Sequence, residues 1–167
     1  MHEHRARAPR SVACAVITVS DTRTLADDTG GALLCALLEG AGHRVATREL
    51  VKDDVAAIGA ALEAALARPD CAAVLLTGGT GVAPRDVTPE AVAPRLERGL
   101  PGFGELFRSL SFAEIGSAAL VSRALAGIAR GKPVFALPGS RAAIRLALER
   151  LILPELGHLV AEAGKRG

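Results

Sequence analysis

The chain has 167 residues, half of them hydrophobic and 23% charged, the size and balance of one globular domain and not of a disordered segment. Twenty Lys and Arg stand against 18 Asp and Glu for a net charge of +2, with no Trp, no Tyr and four Phe. That excludes an electrostatically driven nucleic-acid binder and a base-stacking platform for single strands. No apolar run approaches the roughly 20 residues of a membrane span, so a cytoplasmic protein without nucleic-acid or membrane partners is expected. Cys14, Cys35 and Cys71 form no C-x-x-C pair and read as buried thiols of a reducing compartment.

Residues 1–10 are basic and read as a flexible leader; residues 11–167 read as a single domain. The β-branched run Val12 to Val19 predicts a first strand. Leu33, Leu34, Leu37 and Leu38 share a helical face that Gly40 and Gly42 terminate. Arg44 to Val51 reads as a second strand. Asp53 or Asp54 then caps a helix carrying Ile58, Leu62, Ala65 and Leu66. Ala72 to Leu76 predicts a third strand, and Thr88-Pro89-Glu90 a helix start with a capping Thr. Pro101 to Ile128 reads as an irregular stretch with one or two short helices. Lys132 to Leu137 predicts another core strand, and Ile144, Ala147, Leu148, Leu151 and Ile152 a closing helix. Strands alternating with helices predict an α/β fold, a three-layer α/β/α sandwich with a mainly parallel central sheet.

In such sheets ligands gather at the carboxyl ends of the strands, and the unusual residues of this chain follow strand ends. Thr77-Gly78-Gly79-Thr80-Gly81 frees the backbone for close approach, so that several N–H groups can converge on an anion. No Gly-Lys-Ser/Thr follows, and Pro84 stands where a dinucleotide fingerprint needs its third glycine. A tight turn is the simpler alternative. Asp86 is either a turn residue or a carboxylate ligand for a hard cation beside a phosphate, with Asp53 or Asp54 offering a second carboxylate. Ser20-Asp21 and Pro138-Gly139-Ser140 are either helix caps or further anion seats. Ser122-Arg123 adds a guanidinium suited to phosphate or carboxylate. No zinc-ligand spacing and no G-x-S-x-G elbow is present.

TVSDT (18–22), DDTGG (27–31), LLTGGTGVAPRDVTPEAV (75–92), GFGELFRSLSFAEIGSAALVSRALAGI (102–128) and FALPGS (135–140) together resemble the molybdopterin adenylyltransferases of the MogA/MoaB family. The resemblance runs in one register over about residues 12–157, and the SFAEIG…SR segment is closer to the MoaB branch. It implies the α/β/α sandwich, assembly into trimers or hexamers, and binding of molybdopterin. It also implies adenylylation of the pterin's terminal phosphate by Mg²⁺-ATP with release of pyrophosphate. The product would be handed over to a molybdenum-insertion protein.

The family's catalytic, metal-holding aspartates fall on Asp53 and Asp86. Lys52 departs from the family's usual Pro-Asp-Glu, and Asp54 leaves the register of the first carboxylate open by one. Ser20, Asp21, Thr77, Gly78, Gly79, Thr80, Gly81, Ser122, Arg123, Pro138, Gly139 and Ser140 fall on family pocket positions. A non-catalytic molybdopterin carrier of the MoaB type is the alternative the resemblance leaves open.

Overall fold

The computed structural model describes residues 8–165. Of the expected leader, residues 1–7 lie outside the described residues, whereas Ala8 and the carbonyl of Pro9 lie against Gly157. Six strands form one sheet: β1 (Ala13–Val19), β2 (Arg44–Val51), β3 (Ala73–Thr77), β4 (Arg98–Gly99), β5 (Leu125–Ala129) and β6 (Lys132–Leu137), in the order β2-β1-β3-β6-β5-β4. The first four strands of that order are parallel; β5 and β4 add an antiparallel edge.

Successive side chains of a strand point to opposite faces, and here both faces are covered. Cys14, Val16, Leu75, Phe135 and Leu137 face one apolar layer. Ala15, Ile17, Val74, Leu76, Val134 and Ala136 face the other. Burial on both sides is why these strands read as continuous apolar runs with no alternation. Helices α1 (Thr29–Gly40), α4 (Pro101–Ile115), α5 (Arg141–Ala147) and α6 (Leu153–Ala163) contribute to the first layer. Helices α2 (Val55–Ala67) and α3 (Thr88–Val92) cover the second. The doubly covered, mainly parallel sheet agrees with the sequence expectation.

The stretch 101–128 does not. In place of short helices it holds the 15-residue α4, a 3₁₀ turn (Gly116–Val121) and β5. Gly102, Gly104 and two serines lower the helix propensity of α4, yet Gly104 is required by packing. A Cβ there would stand 2.9 Å from the carbonyl oxygen of Ala124. Strand β5 (LAGIA) is short and built of small residues. It joins β6 through Arg130-Gly131, whose φ values of 50° and 71° suit a two-residue hairpin turn. The closing helix is also not continuous: a π turn at Leu148–Ile152 precedes Pro154, whose ring and missing N–H disfavour an unbroken α ladder.

A buried polar knot fixes the entry to α1. Asp28, 4% exposed, caps the helix by accepting from the Gly31 N–H at 2.9 Å. It also accepts from Thr18 Oγ1 at 2.6 Å and Arg48 Nη2 at 3.1 Å. Asp28→Ala uncaps the helix and strands the other two groups, so a loss of about 3 kcal/mol is expected in urea unfolding. A loss under about 1 kcal/mol would contradict this reading of the knot.

The thiols follow the sequence expectation in part. Cys14 and Cys71 are buried and Cys35 is half-buried, all free. Burial pushes the Cys14 thiol up to about 12, which makes it a poor nucleophile.

Candidate functional site

Strands β1, β3 and β6 end side by side, and the segment Thr77–Gly81 leaves β3 between the ends of the other two. Thr77 Oγ1 donates to the Pro138 carbonyl at 3.0 Å, and the Gly78 N–H to the Leu137 carbonyl at 3.0 Å. Gly78 (φ 100°) and Gly79 (φ 67°) both require the left-handed region. A Cβ on Gly78 would run into the backbone carbonyl of Val19, and one on Gly79 would stand 2.5 Å from Thr88 Oγ1.

The carbonyls of this bend are all committed. Gly78 O accepts from Thr88 Oγ1 at 2.8 Å and Gly79 O from the Thr88 N–H at 3.0 Å. Thr80 O accepts from the Arg123 N–H at 2.9 Å and Gly81 O from Arg123 Nε at 2.7 Å. By contrast, among the described residues no acceptor takes the N–H of Gly79, Thr80 or Gly81. Donors without protein partners in a glycine bend form a seat for an anion.

Three hollows meet at the bend. The largest, about 370 Å³, has apolar walls from Phe107, Ile115, Ala119, Val121 and Ala143, and a polar side from Gly78–Gly81, Asp86, Ser111, Ser122 and Pro138–Ser140. A second, about 200 Å³, is lined by Val19, Ser20, Asp21, Thr22, Asp53, Gly79, Arg85 and Asp86. The third, about 140 Å³, lies between Thr18–Ser20, Arg23, Asp28–Gly30, Thr77, Gly78 and Gly139. The expected residues other than Arg123 thus gather around one bend, drawn from four strand ends, the loop that carries Asp86 and the end of the turn after α4.

Asp53 and Asp54 take different places. Asp54 is exposed and caps α2, accepting from the Ala57 N–H at 2.8 Å. Asp53 instead lines the cleft shared with Asp86, and its Oδ1 lies 3.0 Å from the Cβ position of Gly79. Asp86 Oδ2 accepts from the Ala83 N–H at 3.0 Å, so the turn role and the cleft position coexist. Asp21 Oδ1 accepts from the Asp53 N–H at 3.1 Å and fixes the loop that carries it.

Partial burial, then Asp21 and Asp86, push the Asp53 carboxyl above its usual range, against the pull of Arg85. The folded chain therefore holds this proton more tightly than the unfolded chain does. The resulting stability is present below the ordinary carboxylate range and is lost as pH rises through the raised folded value. Asp53→Asn is accordingly expected to raise Tm at neutral pH, with the gain vanishing in acid. A gain of equal size at every pH would contradict this origin.

Several residues differ from their expected parts. Thr88 does not cap α3; its hydroxyl serves Gly78, and the helix has no side-chain cap. Ser140 caps α5 through the Ala143 N–H at 3.1 Å while lining the large hollow. Ser20 Oγ accepts from the N–H groups of Thr22 and Arg23, so those two donors are not open to a ligand through that seat. The Ser122 hydroxyl is buried without a protein partner. Arg123, expected to face a ligand, lines none of the three hollows and gives its guanidinium to Gly81, Asp86 and Glu90. Sequence reasoning passed over Arg85, whose cation stands in the acidic cleft, and read Glu90 only as part of a helix start, not as the partner of Arg123.

Among the described residues no three His, Cys, Asp or Glu side chains converge to hold a metal by themselves. Asp53 and Asp86 nevertheless suit Mg²⁺, which takes hard oxygen donors, keeps several waters and binds through one or two carboxylates plus phosphate. Burial first and then the neighbouring carboxylates push Asp53 up by disfavouring its charged form, and a cation there offsets both.

Residues 15–158 match the family described as "Probable molybdopterin binding domain". The molybdenum cofactor biosynthesis protein B of Bacillus subtilis is 51% identical over 166 residues, covering 99% of this chain and 98% of that protein. A crystal structure of a molybdenum cofactor biosynthesis protein B superposes with a TM-score of 0.92 at 49% identity, covering 96% and 100% of the two chains. The tungsten cofactor synthesizing protein MoaB from Pyrococcus furiosus superposes at 0.80 with 34% identity, covering 95% and 100%. With the family matched over residues 15–158 and about half its residues identical to those of relatives along nearly its whole length, the protein belongs to the MoaB/MogA family of molybdenum cofactor biosynthesis proteins.

Proposed function

We propose that the chain is a molybdopterin adenylyltransferase, joining the terminal phosphate of molybdopterin to the AMP part of ATP. The observation that carries this reading is a bend with three uncommitted N–H groups standing between the large hollow and the cleft that Asp53 and Asp86 line. The chemical problem is to bring two polyanions together, and both parts of the site answer it.

An oxygen of the pterin phosphate attacks the α-phosphorus of ATP. A new P–O–P linkage forms, the bond from the α-phosphorus to the bridging oxygen breaks, and pyrophosphate leaves with that electron pair. A phosphate monoester is largely ionised near neutral pH, so the attacking oxygen needs no protein base. Among the described residues no His lines the three hollows, which is consistent with that. Gly79, Thr80 and Gly81 N–H groups receive phosphoryl oxygens and stabilise charge that develops on them. Asp53 and Asp86 would hold Mg²⁺, which neutralises the triphosphate and assists departure of pyrophosphate. The apolar wall of the large hollow, with Phe107 and Ile115, has room for one flat heterocycle.

A homo-oligomer, trimer or hexamer, accompanies this reading. Leu106, Phe112, Ile115, Leu120 and Val121 are exposed along α4 and the turn after it, more apolar surface than scattered single residues explain. The adenylylated product is then a substrate for metal insertion by another protein.

Supplied with molybdopterin and Mg-ATP, the purified protein is expected to release pyrophosphate in step with adenylylated pterin. Pterin binding without pyrophosphate release would overturn the enzyme reading in favour of a carrier.

A further inference from the structure

The expected ligand-facing guanidinium of Arg123 has turned to the protein's own backbone, and the pattern of its contacts has a consequence. Its backbone N–H donates to Thr80 O at 2.9 Å, while the guanidinium donates from Nε to Gly81 O at 2.7 Å and from Nη2 to Asp86 O at 2.6 Å. Residues 80–86 are thus fastened at both ends by one residue from the segment before β5. The remaining arm, Nη1, donates to Glu90 Oε1 at 2.5 Å, which ties the same guanidinium to α3. Arg123 pulls the Glu90 carboxyl below its usual range.

We propose that Arg123, held by Glu90, is a positioning residue that sets the phosphate seat. Its backbone N–H holds the Thr80 carbonyl, its guanidinium holds the Gly81 carbonyl, and by holding the Asp86 carbonyl the same guanidinium fixes where that carboxylate sits. A peptide unit carries its N–H and C=O on opposite sides, so these contacts also set the N–H groups of Gly81 and Val82. A planar fork with five donors suits the side-chain part of this task; the single ammonium of Lys does not reach the Gly81 and Asp86 carbonyls and Glu90 at once. The inference rests on the proposed adenylyl transfer for its purpose, but not for its geometry.

The test uses the full-length protein with Arg123→Lys, Arg123→Ala and Glu90→Gln, read by backbone hydrogen exchange and by titration with Mg-ATP. In Arg123→Ala and Arg123→Lys, exchange at the hydrogen-bonded Ala83 and Asp86 amides of this segment is expected to accelerate about tenfold or more, with β1 and β6 unchanged, and Mg-ATP affinity to fall by a similar factor. Glu90→Gln, which keeps the carbonyl contacts, is expected to lie between these and the parent. Unchanged exchange in this segment, or acceleration spread evenly over the sheet, overturns the positioning role. Full retention of both properties by Arg123→Lys overturns the part assigned to the fork. Failure of the parent protein to bind Mg-ATP counts against the adenylyl-transfer reading, while the exchange measurement still decides the role of Arg123.

Discussion

Asp86→Asn is expected to lower the rate of pyrophosphate release by about 10²–10³-fold, some 3–4 kcal/mol of transition-state stabilisation, while Tm moves by no more than a few degrees. The change is chosen because Asn keeps an oxygen for the Ala83 N–H, the hydrogen bond that Asp86 Oδ2 makes at 3.0 Å. The turn survives and only the charge is lost. Molybdopterin affinity should persist, since the pterin phosphate does not need that carboxylate to find the loop amides. Asp53→Asn is expected to lower the rate comparably, and its rise in Tm at neutral pH separates loss of chemistry from loss of fold. A rate within about threefold of the parent in Asp86→Asn would remove the metal-holding assignment.

Gly78→Ala carries an expected loss of stability as large as that of Asp28→Ala. The residue sits at φ 100°, outside even the left-handed well that Asn and Asp occupy. Its added Cβ meets the backbone carbonyl of Val19. Val19 closes β1, and β1 and β3 are held in register by pairs up to Thr18 and Thr77, so neither backbone can retreat. A loss of about 3 kcal/mol is expected, or roughly 9 °C in Tm for a chain of this size. Gly79→Ala makes the contrast. Its φ of 67° is tolerable, and its Cβ meets two side-chain tips, Thr88 Oγ1 at 2.5 Å and Asp53 Oδ1 at 3.0 Å. It should cost less stability and more activity. Equal Tm values for Gly78→Ala and the parent would show that the bend can relax.

The parallel core was legible because double-sided burial leaves no alternative to continuous apolar runs. Val12 to Val19, Ala72 to Leu76 and Lys132 to Leu137 lie within a residue or so of β1, β3 and β6. The segment 101–128 was not legible, because its determinants are tertiary. Gly104 lowers helix propensity yet is demanded by the carbonyl of Ala124, and β5 draws its stability from pairing with β6 more than from its own small side chains. At the site, residue type and position after strand ends marked Asp53, Asp86 and the glycine bend. They did not mark direction. Whether Arg123 faces a ligand or three carbonyls depends on how the segment before β5 crosses the bend, a long-range contact with no local signature in the sequence. Thr88 shows the same limit, since a hydroxyl expected to cap its own helix serves Gly78 ten residues earlier.

The most direct measurement is a backbone ¹H–¹⁵N titration of the protein with Mg-ATP. The N–H resonances of Gly79, Thr80 and Gly81 should move together, downfield, and saturate at one affinity as phosphoryl oxygens become their acceptors. If those three stay in place while Mg-ATP binds and shifts signals elsewhere on the chain, the glycine bend is not the phosphate seat.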